Sequence, residues 1–152
     1  MQGISSSSPA VSFNHKYRTS IDLGYNNIGV EGCNALAAAL PQCPSITSID
    51  FGGNRFGDKG CKVLSAALPQ CPSITSIDFG GNRFGDKGYK ALAAVLPQCP
   101  SITSIDLGNN NIGDEGCNNA LATALPQCPS ITSIAQVSTS DITTSVIRDT
   151  RH

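Results

Sequence analysis

From residue 45 to residue 60 the chain reads SITSIDFGGNRFGDKG, and its apolar positions change period partway along. Ile49, Asp50 and Phe51 alternate apolar, polar, apolar, the period of a β-strand, with Ile46 ahead of them. Gly52, Gly53, Asn54 and Gly57 follow, residue types that tolerate the positive φ of a tight turn. Cys61, Leu64, Ala67 and Leu68 then fall at i, i+3, i+6 and i+7, which collects them on one face of a helix. Asp58 stands where an N-cap is expected. Pro69 is expected to stop the helix hard, because proline disfavours helical geometry in the residue before it. The pattern predicts one unit of strand, turn, helix and loop.

That unit recurs. Ser-Ile-Thr-Ser-Ile begins at 45, 73, 101 and 130, a period of 28, 28 and then 29 residues, and residues 19–22 supply the tail of an earlier copy. The sixteen residues of 45–60 return unchanged at 73–88. A fixed period of this size is the signature of a repeat architecture. No such unit can bury its apolar face alone, so copies must stack, strand beside strand at ~4.8 Å, with a continuous core between strands and helices. The fourth unit reads GCNNALATAL where the first reads GCNALAAAL. Cys117 to Leu121 is thus i, i+4 where Cys33 to Leu36 is i, i+3, and both spacings stay on one helical face.

The run Ile46-x-x-Ile49-x-Phe51-x-x-Asn54-x-Phe56, followed by Gly57-Asp58-Lys59-Gly60 and Leu64-x-x-x-Leu68, resembles the leucine-rich repeat motif L-x-x-L-x-L-x-x-N-x-L. The repeat length, the G-D-x-G turn and the long helix are similar to the ribonuclease-inhibitor-like subclass. That resemblance implies an α/β leucine-rich-repeat solenoid, a short curved horseshoe with parallel strands on the concave face and helices on the convex one. It also implies that Asn26, Asn54, Asn82 and Asn110 bond neighbouring backbone groups where the chain leaves the strand. Residues 19–134 form the repeat domain of about four units, with residues 1–18 expected to be a flexible segment and 135–152 an irregular or disordered tail. In that tail Val137, Ile142, Val146 and Ile147 are the residues able to fold back as a crude cap. The chain departs from the motif in using Ile or Phe where leucine is common, in the Gly-Gly pair at 52 and 53, and in lacking capping units.

Seven cysteines in 152 residues would suit a disulfide scaffold, but the count is odd and no N-x-[ST] sequon occurs. Register explains them instead. Cys43, Cys71, Cys99 and Cys128 occupy one ladder, and Cys33, Cys61 and Cys117 another, with Tyr89 in place of the missing member. A free cysteine packs as a small hydrophobe, so a core role is expected.

Charge narrows the partners. Acidic and basic residues nearly cancel, leaving a formal charge of −1, so no field draws the chain to nucleic acid or to an anionic membrane. No apolar run exceeds the six residues of 35–40, far below the ~20 of a spanning helix. The first sixteen residues carry neither the early positive charge nor the apolar stretch of a secretory signal, which points to a cytoplasmic location.

Catalysis finds no support in the residue pattern. The two histidines, His15 and His152, stand outside the repeats, so no Ser-His or Cys-His pair is suggested. The spacing from Gly52 to Gly57 resembles a phosphate loop, but Asp58 precedes Lys59 where that motif needs Gly-Lys-Ser/Thr. No C-x-x-C spacing occurs, and neither a metal site nor a cofactor is expected.

What remains is a surface. Strand positions between the apolar ones point out of the concave face: Thr47, Ser48 and Asp50, then Thr75, Ser76 and Asp78, then Thr103, Ser104 and Asp106. Stacking aligns Asp22, Asp50, Asp78 and Asp106 into an acidic stripe whose members, ~5 Å apart in water, repel by somewhat under ~1 kcal/mol. Just beyond the strand, Arg55 and Arg83 occupy a position that Asn27 and Asn111 hold in the outer units, and arginine is favoured at interface hot spots. Phe56 and Phe84 change together with them, Ile28 and Ile112 standing in the outer units, so duplication of one whole unit explains both changes equally well. The expected function is a non-enzymatic protein-protein interaction module that presents this concave face to another protein, with self-association through uncapped solenoid ends as a further possibility. Two alternatives stand beside it: a fragment of a GTPase-activating or immune-sensor protein, which the resemblance implies, and a truncated repeat fragment with no tuned partner.

Overall fold

The structure, a computed structural model, describes residues 19–113, 120, 123–135 and 146–147. Six strands form one sheet in chain order: β1 (Ser20–Asp22), β2 (Ser48–Asp50), β3 (Ser76–Asp78), β4 (Ser104–Asp106), β5 (Ser133–Ala135) and β6 (Val146–Ile147). The first five are parallel and in strict register, Ile21 beside Ile49, Ile77, Ile105 and Ile134. Each lies one repeat from its neighbour, so the repeat period becomes the rung of the sheet. β6 runs antiparallel to β5, with Ser133 opposite Ile147, and closes that edge. The other tail residues singled out in the sequence, Val137 and Ile142, lie outside the described residues.

Among the described residues three complete helices return the chain across the sheet: α1 (Val30–Ala39), α2 (Gly57–Ala67) and α3 (Asp86–Val95). The core is one cluster between the layers, built from Ile46, Ile49, Phe51, Phe56 and Leu64 and their equivalents in each repeat. At its centre the duplicated unit makes an aromatic lattice. Phe51 stacks on Phe79 at 5.6 Å and Phe56 lies parallel to Phe84 at 6.4 Å, while Phe56 meets Phe79 edge-on at 6.0 Å. Offset and edge-to-face contacts at such distances add ~0.5–1.5 kcal/mol per pair beyond the area buried.

Two local expectations are corrected. Pro69 does not stop the helix at once. Leu68 keeps right-handed helical angles (φ −56°, ψ −40°) and the chain tightens into a 3₁₀ turn, Leu68–Gln70, with proline near its start, where no N–H is needed. The same Leu-Pro-Gln turn follows α1 and α3. Nor does Asp58 cap its own helix, which Phe56 precedes without a side-chain cap. Its Oδ1 accepts instead from the N–H groups of Gly85 and Gly88 in the next repeat, at 2.8 and 2.9 Å. Gly85 is the N-cap position of α3, so the cap of α3 is supplied by the preceding repeat, and Asp86 bonds the Gly113 N–H in the same way at 2.8 Å. Glycine at 88 leaves room for this packing: a Cβ there would lie 3.0 Å from the Asp58 carboxylate and 3.1 Å from Cys61, so a neighbour would have to shift.

Candidate interaction face

Each strand is followed by a turn that leaves the sheet, and the turn is held by asparagine. Asn54 is buried; its Nδ2 donates to the carbonyls of Leu23 and Phe51, both at 2.8 Å, while its Oδ1 accepts from the backbone of Asn26 at 2.9 Å and Ile28 at 3.1 Å. Asn82 repeats the arrangement on Phe51 and Phe79, accepting from Asn54 at 3.0 Å, and Asn110 repeats it on Phe79 and Leu107. The side chains of Asn54, Asn82 and Asn110 therefore tie the repeats to one another, while that of Asn26 bonds only within its own repeat.

Asp50, Asp78 and Asp106 are brought together, one rung apart, by the strand register. They are not the freely solvated side chains that simple alternation predicts, being half-buried, and each Oδ1 accepts the N–H two residues on: Gly52 and Gly80 at 2.7 Å, Gly108 at 2.8 Å. This Asx turn orients the carboxylates, and none of the three carries a further hydrogen bond among the described residues. Asp78, in the middle, has its pKa raised above the usual carboxylate value of 3.8; burial is the main cause, opposed by the Gly80 N–H and reinforced by the charges of Asp106 and Asp50.

The three carboxylates line a shallow groove of about 240 Å³ with Gly52, Gly53, Gly80, Gly81 and Gly108, closed at its ends by Tyr25 and Asn109. No basic residue among those described lines it. Tyr25 is the feature that the repeat pattern left unnoticed. It is 89 % exposed and takes a positive φ of 56° in the place that Gly53 and Gly81 hold in the inner repeats. Its ring lies over Gly53, where a Cβ would come within 2.6 Å of it. An aromatic residue where the inner copies carry glycine and the fourth carries Asn109 is a signal visible in the sequence.

The threonine column serves the sheet. Thr47, Thr75 and Thr103 each donate Oγ1 to the carbonyl of the threonine one repeat before, at 3.2 Å. Thr75 and Thr103 stay exposed, and Ser48, Ser76 and Ser104 are half-buried at paired strand positions. Arg55 and Arg83 are exposed on the turns, with left-handed φ of 65° and 61°, and do not line the groove.

The cysteines are free thiols buried or half-buried in the core, apart from Cys117, which lies outside the described residues. One ladder does more than fill space: Cys43, Cys71, Cys99 and Cys128 each donate Sγ to the carbonyl four residues back, at 3.1–3.4 Å, at the helix end where proline has interrupted the pattern. Burial pushes the Cys61 thiol up from 9.0 to about 12, and Cys33 and Cys99 to about 11. Thiols held neutral in this way are poor nucleophiles.

A parallel sheet lined by aligned polar columns and backed by helices is a solenoid scaffold of the leucine-rich-repeat class. The leucine-rich repeat family model matches residues 19–37, 42–65, 70–93 and 98–118, more than half of the chain, and the protein belongs to that family. Its length of repeat and its helices fit the ribonuclease-inhibitor-like subclass. Among solved structures it is similar to leiomodin-1 actin-binding site 2, with a TM-score of 0.73 and 18 % identity over 81 % of this chain and 73 % of that one. The Caenorhabditis elegans tropomodulin C-terminal domain gives 0.68 and 13 %, over 83 % of this chain and 79 % of that one. The Chaetomium Mex67:Mtr2 subunits give 0.54 and 14 %, over 83 % and 87 %. No curated protein sequence matches significantly. Among the described residues no helix is long and apolar enough to cross a membrane.

Proposed function

We propose that the chain is a non-enzymatic protein-interaction module whose concave groove receives a basic side chain, Arg or Lys, from an extended segment of a partner protein. One observation carries the reading: Asp50, Asp78 and Asp106 stand in register along a groove that no basic residue among those described lines. A guanidinium or ammonium seated there relieves the repulsion between neighbouring carboxylates and favours the ionised form of Asp78. Tyr25 at the end of the groove offers its ring face for a cation–π contact worth ~0.5–1 kcal/mol at an exposed site. Thr75, Thr103 and Ser76 supply neutral hydrogen-bonding groups beside the acidic column, and Arg55 and Arg83 contribute at the rim.

The test is titration of the full chain with a labelled arginine-rich peptide and with its citrulline counterpart, which keeps the shape and loses the charge. Binding of the first alone, weakened at least about tenfold by joint Asp50→Asn, Asp78→Asn and Asp106→Asn, supports the groove; a tenfold change corresponds to ~1.4 kcal/mol. Equal binding of the two peptides sinks the reading. Actin, which the leiomodin domain is named for binding, is a fold-matched protein to include in the same assay. Stimulated GTP hydrolysis in a panel of small GTPases would move the reading to a GTPase-activating role.

A further inference from the structure

We propose that the β1 edge of the sheet is a self-association surface, at which two copies of this chain pair their β1 strands antiparallel about a twofold axis, Ser20 of one opposite Asp22 of the other. This is independent of the concave-groove reading.

The surface is the repeat-repeat interface carried one step further. Ile49, Phe51, Phe56 and Leu64 are 1–3 % exposed because a preceding repeat covers them. Their equivalents in the first repeat, Ile21, Leu23, Ile28 and Leu36, are only partly buried. On the helix side Ser65 and Ala67 of α2 are buried, whereas their equivalents in α1, Ala37 and Ala39, are half-buried and exposed. The first repeat thus ends in a contiguous apolar flank of the kind that every other repeat buries against a copy of itself. The turn asparagine differs there too: Asn26 donates Nδ2 to Leu23 and Gly24, but among the described residues its Oδ1 takes no backbone N–H of the kind that Asn54 and Asn110 accept.

The backbone of β1 is half used. Thr19 accepts from Thr47 at 2.7 Å and Leu23 donates to Asp50 at 2.8 Å, so the odd-numbered residues face β2. Alternation turns the N–H and C=O groups of Ser20 and Asp22 to the edge that no described strand covers. An unpaired edge of this kind is a template for another chain. At the far edge β6 already lies against β5, which obstructs head-to-tail stacking of copies and shows this sheet accepting an antiparallel strand.

The order Ser20-Ile21-Asp22 suits twofold pairing. With Ile21 on the axis, Ser20 and Asp22 exchange backbone hydrogen bonds as an antiparallel pair, two such pairs in all. Ile21 meets Ile21 on the core face. On the concave face each Asp22 stands opposite a serine, and no like charges are placed directly across. An axis normal to the sheet keeps both sets of helices on one side and joins the two apolar flanks. The interface is isologous and closed, so assembly stops at two copies.

Sedimentation equilibrium of the full chain across the micromolar range tests this, together with amide hydrogen exchange. The expected mass is twice 15.7 kDa, with concentration-dependent protection of the Ser20 and Asp22 amides. Asp22→Pro, which removes a donor facing away from β2, is expected to give a monomer with an unchanged circular dichroism spectrum. A monomeric wild type overturns the proposal, including one whose β1 amides another part of the chain protects. So does a dimer that survives Asp22→Pro, or a mass that grows without limit. Should Asp22→Pro fail to fold, the concentration dependence of wild-type exchange at these two amides decides alone.

Discussion

The carboxylate of Asp58 accepts the backbone N–H of Gly88, thirty residues further on, at 2.9 Å. A helix-capping interaction that is ordinarily local is here made between repeats, so the start of α3 depends on the repeat before it. Asp58→Ala is expected to cost ~1–2 kcal/mol, the upper range for a lost cap, because two N–H groups lose their acceptor. The urea midpoint would fall accordingly. The loss of protection should appear in hydrogen exchange at the Gly85 and Gly88 amides, and an effect confined to α2 would contradict the assignment.

Asn82 is fully buried and joins two repeats through bonds to Phe51, Phe79 and the backbone of Asn54. Asn82→Ala leaves several buried backbone groups without partners, each costing ~1–3 kcal/mol. A loss of more than ~3 kcal/mol is expected by chemical denaturation, and Asn26→Ala, at the exposed end of the ladder, should cost much less.

Arg55 and Arg83 hold left-handed backbone angles that asparagine adopts more readily, and Asn27 does so at 55° in the first repeat. Arg55→Asn and Arg83→Asn should each stabilise the fold by roughly 0.5 kcal/mol, a fraction of the ~1–2 kcal/mol cost of this conformation for an L-residue. If thermal unfolding shows this gain while partner binding weakens, the arginines are held at that cost for contact. A gain with binding unchanged favours their origin in duplication of a whole unit.

The buried thiols set an alkaline limit. Cys61 is raised to about 12, and Cys33 and Cys99 to about 11, while in the unfolded chain a thiol ionises near 9.0. Above that value the unfolded state loses protons that the folded state keeps, so stability is full below pH 9 and falls as the pH rises toward 11–12. Urea midpoints on the two sides of pH 9 measure the slope, and Cys61→Ala should flatten it. Asp78 works in the same direction lower on the scale. Its raised pKa disfavours ionisation in the folded state, so its contribution is present below pH 3.8 and lost as the pH rises through the folded value. Asp78→Asn should be at least as stable as the wild type at neutral pH, with the difference closing in acid.

Much of the architecture could be read from period alone. Spacing of 28 residues, alternation at Ile49-Asp50-Phe51 and the one-sided helix pattern after Gly60 sufficed for parallel strands, a helix following each strand and one core. The polar columns were equally legible, since register follows from identical units. Asp58 was misread because the rule for caps assumes a local partner, and here its partners lie in the next repeat, while Pro69 ended the α-helix at Ala67 but let a 3₁₀ turn follow. Tyr25 escaped because the repeat was read for what its copies share, whereas this residue is where one copy differs.

The sequence by itself determined which residues align, for a repeated unit has only one way to bury its apolar face, against its own copy. Only the tertiary structure decided what the aligned residues do. Stacking turns an expected solvent-facing acidic stripe into half-buried carboxylates held by glycine N–H groups, and a set of core cysteines into donors to helix carbonyls. It also leaves the two ends unlike, one edge paired with β6 and the other with Ser20 and Asp22 uncovered by any described strand. The physical reason is that hydrogen-bond partners and burial are properties of neighbours in space, which a periodic sequence specifies for its interior and leaves open at its ends.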